Sequence, residues 1–295
     1  YRSGNIRTVS ERGDFEVPDY ANNFNFDLDR YSAWGIEYQQ SKPDAYPLKT
    51  YIDYGLDNAA TKEEIRADPM ANLLEFLGNC QPGGQIWIQF LIQTHKSGDY
   101  KKPGGWFFEK SDWRADAQNL VNKLMQRDPV TKGPVTKQGG QEGFYVLPMH
   151  TETEQKTITA IQRSLQKQAY NVGIRSFYIA EKTAFNAINI LGLIGCMKQF
   201  SSVELNGLSP AGRWGYAFGY PWQFEKWRLP GQMRRLFTYY RLRSYFHPPY
   251  KQKSFVMTTE ELATLYHFPS SIAAPAPTVV RTLSKKAEAP VNLPI

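Results

Sequence analysis

The run QIWIQFLIQT, residues 85–94, constrains the fold of this chain more than any other stretch. Strand side chains alternate between faces, so Ile86, Ile88, Phe90 and Ile92 fall on one side and Trp87 and Leu91 on the other. Apolar residues on both sides predict a central strand. A sheet built around it needs partners, and the chain offers them. AWGIEYQQ (33–40) and YPLKTYIDY (46–54) read as strands joined by the turn SKPDA. YNVGIRSFYIA (170–180) reads as another, and SFVM (254–257) as a short one.

Helices lie between the strands. Asp68 is placed to cap, Pro69 suits the first helical position, and Met70, Leu73, Leu74 and Leu77 form one apolar face. QPGG (81–84) ends that helix. A second runs over 113–125 through Trp113, Ala117, Leu120, Val121 and Leu124. A third opens at Thr151, with Glu154 completing a capping box, and continues through Ile158, Ile161 and Leu165. A mostly apolar helix spans 183–199, and residues 127–143 read as a loop without periodicity. This order of elements predicts an α+β sandwich with helices on one face of a largely antiparallel sheet. A ferredoxin-like, split-βαβ arrangement with long loop insertions is the natural candidate.

The chain is 295 residues long with 41% hydrophobic and 14% aromatic residues, enough to build a sizeable core. The division predicted is an extended arm over 1–32, a body over 33–269 with a basic aromatic insertion at 201–253, and a Pro-rich linker over 270–295. With Tyr1 rather than Met at its start, the chain reads as a piece of something longer. Cys80 and Cys196 lack metal-ligand spacing and read as free, partly buried thiols. No apolar run approaches the ~20 residues that span a bilayer.

Local motifs for catalysis are missing from the sequence. There is no phosphate-cradling G-x-x-x-x-G-K-[ST] and no G-x-S-x-G elbow. His95, His150, His247 and His267 lie far apart and pair with no nearby cysteine. The carboxylates Glu260 and Glu261 read as helix-start residues, with Glu261 closing a capping box on Thr258. No active site, cofactor or metal is predicted.

Charge is regional. Residues 206–253 hold nine basic residues and one acid, Glu225, a net of +8 against +7 for the whole chain. Inside this region lies MRRLFTYYRLRSYF (233–246), four arginines and five aromatic rings in fourteen positions. As a helix it sets Met233, Leu236, Phe237 and Tyr240 on one stripe, with Arg234 and Arg241 together on one flank. Arg228, Arg234, Arg235, Arg241, Arg243, Lys251 and Lys253 are the candidate nucleic-acid-binding residues. In one reading arginines pair with phosphates and rings stack on unpaired bases. In the other the rings pack on the core while the arginines snorkel around them.

The segment SFVMTTEELATLYHFPSSIAAPAPTVVRTLSKKAEAPVNLPI (254–295) adds a family signal. Its strand, the Thr258/Glu261 box, the staple-like pair Met257 and Leu262, and its Pro-punctuated extension resemble the segment preceding the motor in certain bacterial ATPases. These are related to type IV secretion and conjugation coupling proteins, within the FtsK–HerA superfamily of DNA translocases. YPLKTYIDY, DPMANLLEFL, GGQIWIQFLI and FNAINILGLIGCMKQFSSVELNGL extend the resemblance upstream more weakly. The P-loop of that family does not occur here, so none of its catalytic residues transfers. The resemblance implies an accessory domain ahead of a hexameric motor at the cytoplasmic face of the membrane. Its implied partners are the motor itself, DNA, and membrane or secretion-channel proteins.

Overall fold

A computed structural model describes residues 24–56, 68–96, 112–125, 127, 150–211 and 224–267. The predicted loop at 127–143, the linker and the first 23 residues of the arm lie wholly or almost wholly outside the described residues. Within them the chain is α+β, with helices packed on a five-stranded open sheet. The strands are β1 (Tyr31–Gln40), β2 (Gly84–Thr94), β3 (Ala169–Glu181), β4 (Leu208–Pro210) and β5 (Phe255–Thr258). The helices are α1 (Pro69–Gly78), α2 (Trp113–Leu124), α3 (Glu152–Leu165), α4 (Ile188–Lys198), α5 (Glu225–Arg241) and α6 (Thr259–Leu265).

β1 pairs with β3 and, through Tyr38–Gln40, with β4, and the strand with the most partners is β3. Along one edge it pairs with all of β2, from Gly84↔Ala180 to Thr94↔Tyr170. Its other edge takes β1 at one end (Tyr31↔Glu181 to Glu37↔Arg175) and β5 at the other (Ala169↔Thr258 to Val172↔Phe255). Among the described strands β2 is bonded to β3 alone, so the central place predicted for 85–94 belongs to 169–181. Every pairing is antiparallel. β1 and β2 thus run parallel to each other on either side of β3, as in a split βαβ unit, while the full ferredoxin-like arrangement is not confirmed.

The apolar residues on both sides of β2 have a different cause: both faces of the sheet are covered. One face carries Trp34, Ile36 and Tyr38, Ile86, Ile88 and Phe90, and Val172, Ile174 and Tyr178. Against it pack Leu193, Ile194 and Met197 of α4 and Leu262 and Leu265 of α6. The opposite face carries Ala33, Trp87, Phe177 and Ile179, covered by Met233, Leu236 and Phe237 of α5. Helices on one face only, as predicted, would have left that second set in water. A smaller cluster joins α2 to α3 through Ala117, Val121, Ile158 and Ile161.

The predicted helix starts at 69 and 151 are observed. The Asp68 carboxylate accepts the Met70 N–H at 2.8 Å, and Thr151 and Glu154 cap each other reciprocally. The helix predicted over 183–199 begins only at Ile188, because residues 182–184 turn first and Asn186 spends its side chain accepting the Ile188 N–H.

Residues 46–54 are not a strand. They run as extended chain and turns whose donors are met individually. The Leu48 N–H donates to Glu261 Oε1 at 2.8 Å, Tyr51 N–H to Thr264 Oγ1 at 3.1 Å, and Lys49 N–H to the Phe200 carbonyl at 3.3 Å. Helix α6 thus does more than the capping expected of it. Glu261 Oε2 also accepts the Thr258 N–H and hydroxyl at 2.7 and 2.8 Å, while Glu260 pairs with Arg163 at 2.9 Å. Past its end, His267 Nε2 lies 2.9 Å from Asp68 Oδ1, tying α6 to the start of α1.

Burial pushes the Glu261 carboxyl up to about 7, against the pull of its three donors and with Glu260 nearby adding to the rise. A folded-state value above the usual carboxylate range means that the folded chain holds this proton longer than the unfolded one. The group therefore favours folding below the usual carboxylate range, and that contribution is lost as pH rises towards about 7. Chemical denaturation at pH 5 and pH 8 should show wild type losing stability over this window, by at most about 3 kcal/mol from this group. Glu261→Gln should flatten the difference, and an equal slope in both proteins would refute the assignment.

Candidate nucleic-acid interface

Helix α5 starts well before the 233 predicted and stops at Arg241 rather than 246. Its inward side is the apolar stripe read from the sequence: Met233, Leu236 and Phe237 are buried, with Leu229 and Tyr240 partly so. Two features let it sit close to the sheet. A Cβ on Gly35 of β1 would lie 2.6 Å from Leu236 Cδ2 and 2.8 Å from the Phe177 ring, so only glycine permits this approach. Around Phe237 the rings of Phe26, Trp87 and Phe177 stand 4.6, 5.8 and 6.0 Å away, tilted or edge-on. Phe24 and Phe26 belong to the segment predicted as an extended arm, and they pack into this box.

With that side committed, the opposite side of α5 faces water. Trp227, Arg228, Arg234, Arg235, Thr238 and Arg241 are all exposed there. At 3.6 residues per turn Arg234 and Arg241 fall roughly 20° apart, with Arg228 and Arg235 on the other flank of the same face. The Arg241 guanidinium lies 6.0 Å from the Phe237 ring centroid, so its stem lies along the ring box. The four helical arginines thus share one outward face.

The end of α5 is a Schellman turn. Arg243 N–H donates to the Tyr240 carbonyl and Ser244 N–H to that of Tyr239, both at 3.1 Å. This geometry puts Arg243 at φ 50°, a left-handed conformation that glycine or asparagine ordinarily takes. Its side chain is exposed just past the helix.

The loop that follows is held by a buried polar group that sequence reading missed. Glu37 and Arg175 are cross-strand partners in the β1–β3 ladder, and both are fully buried. Arg175 Nη2 donates to the Ser244 carbonyl at 2.8 Å, and its guanidinium sits over the Tyr245 ring at 5.6 Å. The Tyr250 hydroxyl donates to Glu37 Oε2 at 2.5 Å, and the Ser244 hydroxyl accepts the Tyr250 N–H at 3.0 Å. Burial lowers the pKa of the Arg175 guanidinium, and the Glu37 charge opposes that effect. Tyr240 is pushed up to about 12 by burial. Gly173 is the second close-approach glycine, since a Cβ there would lie 2.4 Å from the Tyr245 ring. One signal in the sequence could have found this group: opposite charges inside otherwise apolar strands.

The remaining predicted residues separate from the helix. Lys251 and Lys253 are exposed in the segment leading into β5. Burial pushes the Asp44 carboxyl up to about 6, and the Val256 N–H that it accepts, with the charge of Lys253, draws it back down. The structure thus brings Arg228, Arg234, Arg235 and Arg241 onto one helix, sets Arg243 at their end, and leaves Lys251 and Lys253 beyond it in the segment before β5. Cys80 and Cys196 are free thiols, both shifted upward by burial, Cys196 to about 11. Among the described residues no three His, Cys, Asp or Glu side chains converge, and no helix is long and apolar enough to cross a membrane.

No family model matches the chain, and neither a curated protein nor a solved structure matches it.

Because Arg243 pays for its left-handed backbone without a cap advantage, Arg243→Gly should stabilise the fold by about 1 kcal/mol in urea unfolding. A loss of stability would show that the side chain contributes to the fold after all.

Proposed function

We propose that this chain is a non-catalytic accessory domain of a DNA-translocating ATPase of the type IV secretion or conjugation coupling kind. In this reading it contacts nucleic acid through the outward face of α5. The observation that carries the nucleic-acid part is the gathering of Arg228, Arg234, Arg235 and Arg241 on one exposed helical side, with Arg243 at its end. Phosphates are read by such a row through charge and counterion release, without sequence specificity. The face is carried on a rigid helix whose other side is locked to the sheet, so it is displayed in one orientation.

The translocase part rests on the resemblance of residues 254–292. It places the chain ahead of its own ATPase domain, within a hexamer at the cytoplasmic membrane face, positioning the motor or its DNA or protein substrate beside membrane or channel proteins. The second reading is a nucleic-acid-binding module independent of any motor, and the same helical face favours it. Extending the natural gene separates the two: a P-loop within roughly a hundred residues after Ile295 is expected for a motor-linked domain of ordinary size. Its absence would leave the second reading alone.

The shared claim is tested by salt titration of DNA binding by the full chain. Affinity should fall steeply with salt, and replacing Arg234, Arg235, Arg241 and Arg243 with Ala should lower the log–log slope by roughly 3. The thermal transition should persist, because all four side chains are exposed. Unchanged binding by the quadruple variant would assign the patch to packing alone.

A further inference from the structure

Two large aromatic side chains are exposed at the start of α5. Trp227 is 88% exposed and Phe224 67% exposed. Phe224 is the N-cap residue, yet it makes no side-chain cap and takes φ 50°, ψ 53°. Serine, asparagine or aspartate would cap the helix there, and glycine or asparagine would adopt that backbone without strain. A bulky ring at a strained position with its side chain in solvent is a feature to explain by function. The two residues are one turn apart along the chain, the N–H groups of Trp227 and Arg228 both bonding to the Phe224 carbonyl, at 3.0 and 3.1 Å.

The arginines supply the context. Trp227 lies on the same outward side as Arg234 and Arg235, so a strand whose phosphates follow the guanidinium row brings its bases past the rings. In a duplex the base faces are already stacked and out of reach. In an unpaired strand they are available, and aromatic stacking tolerates any base. The geometry points to Phe224 and Trp227 as a stacking platform that makes α5 a site for unpaired nucleic-acid strands in preference to duplex. This rests on the nucleic-acid reading above and goes beyond it, because phosphate contacts alone do not distinguish the two forms. An anionic membrane surface fits less well. A helix lying in a bilayer interface buries a continuous apolar side, and the apolar side of α5 is spent on the sheet.

The test uses the full chain with fluorescent oligonucleotides of about 20 nucleotides, long enough to span the helical face: oligo-dT, oligo-U and a duplex of equal length. Trp227→Ala and Phe224→Ala should each weaken binding to the unpaired strands by about tenfold and leave duplex binding within about twofold, while Trp227→Phe keeps most of the affinity. Tighter binding of both unpaired strands than of duplex by the wild type supports the platform, and the difference between dT and U identifies the preferred strand. Arg234→Ala/Arg235→Ala should weaken all three probes alike. If Trp227→Ala and Phe224→Ala leave the unpaired strands unaffected, or weaken duplex equally, the platform is overturned while phosphate binding stands. If no probe binds at low salt, both readings fall. Binding confined to vesicles of anionic lipid, and lost in Trp227→Ala, also overturns the platform and assigns the rings to a membrane surface. Unchanged circular dichroism of the variants confirms that these comparisons are made on folded protein.

Discussion

Arg175 lies midway along the longest strand with no access to water, and the chain around it is arranged to make that tolerable. A buried guanidinium without compensation costs several kcal/mol. Three elements compensate in part, with Arg175 Nε and Nη1 left without a hydrogen bond: Glu37 across the β1–β3 ladder, the Ser244 carbonyl, and the face of Tyr245. Tyr250 then closes the ring by donating to Glu37. Ser244 and Tyr245 come from a loop whose start lies 69 residues beyond Arg175, so holding the charge fixes where that loop runs.

That constraint propagates into α5. The helix leaves its Schellman turn directly into the loop anchored at Ser244 and Tyr250, so its C-terminal end cannot drift. Its middle is held by Leu236 at Gly35 and by the ring box around Phe237. Two anchors on one side leave the other side no choice but solvent, and the arginines occupy it. The cationic face is therefore a product of the packing beneath it. Rigid placement matters for a phosphate row, because mobile arginines would give up affinity in ordering their side chains.

What could be read in advance follows physical locality. Helix starts were legible where a cap and its partner lie within a few residues, as at Asp68, Thr151 and Thr258. The apolar stripe of α5 was legible because period 3.6 is written along one segment. The start and end of that helix were not. Pro230 and Gly231 look like a stop, yet they lie inside the helix, while Arg243 gives no glycine to mark the end. Residues 46–54 have a strand-like composition, but their backbone donors are claimed by Glu261, Thr264 and Phe200, all distant in sequence. The rank of β2 was misread for a similar reason. Apolar residues on both sides of a strand report that both faces are covered, and they say nothing about how many neighbours bond to its edges.

The sequence by itself determined that this chain is α+β, that its basicity is concentrated between 206 and 253, and that the rings of 233–240 have an inward stripe. Composition, periodicity and capping chemistry act over a few residues, and those properties need nothing more. Only the tertiary structure decided that helices cover both sheet faces, that β3 holds the centre, and that Glu37 and Arg175 meet. It also decided that Arg228, Arg234, Arg235 and Arg241 are all exposed on α5. Those outcomes depend on which distant segments satisfy buried polar groups and fill apolar faces, and that matching is settled only when the whole chain packs.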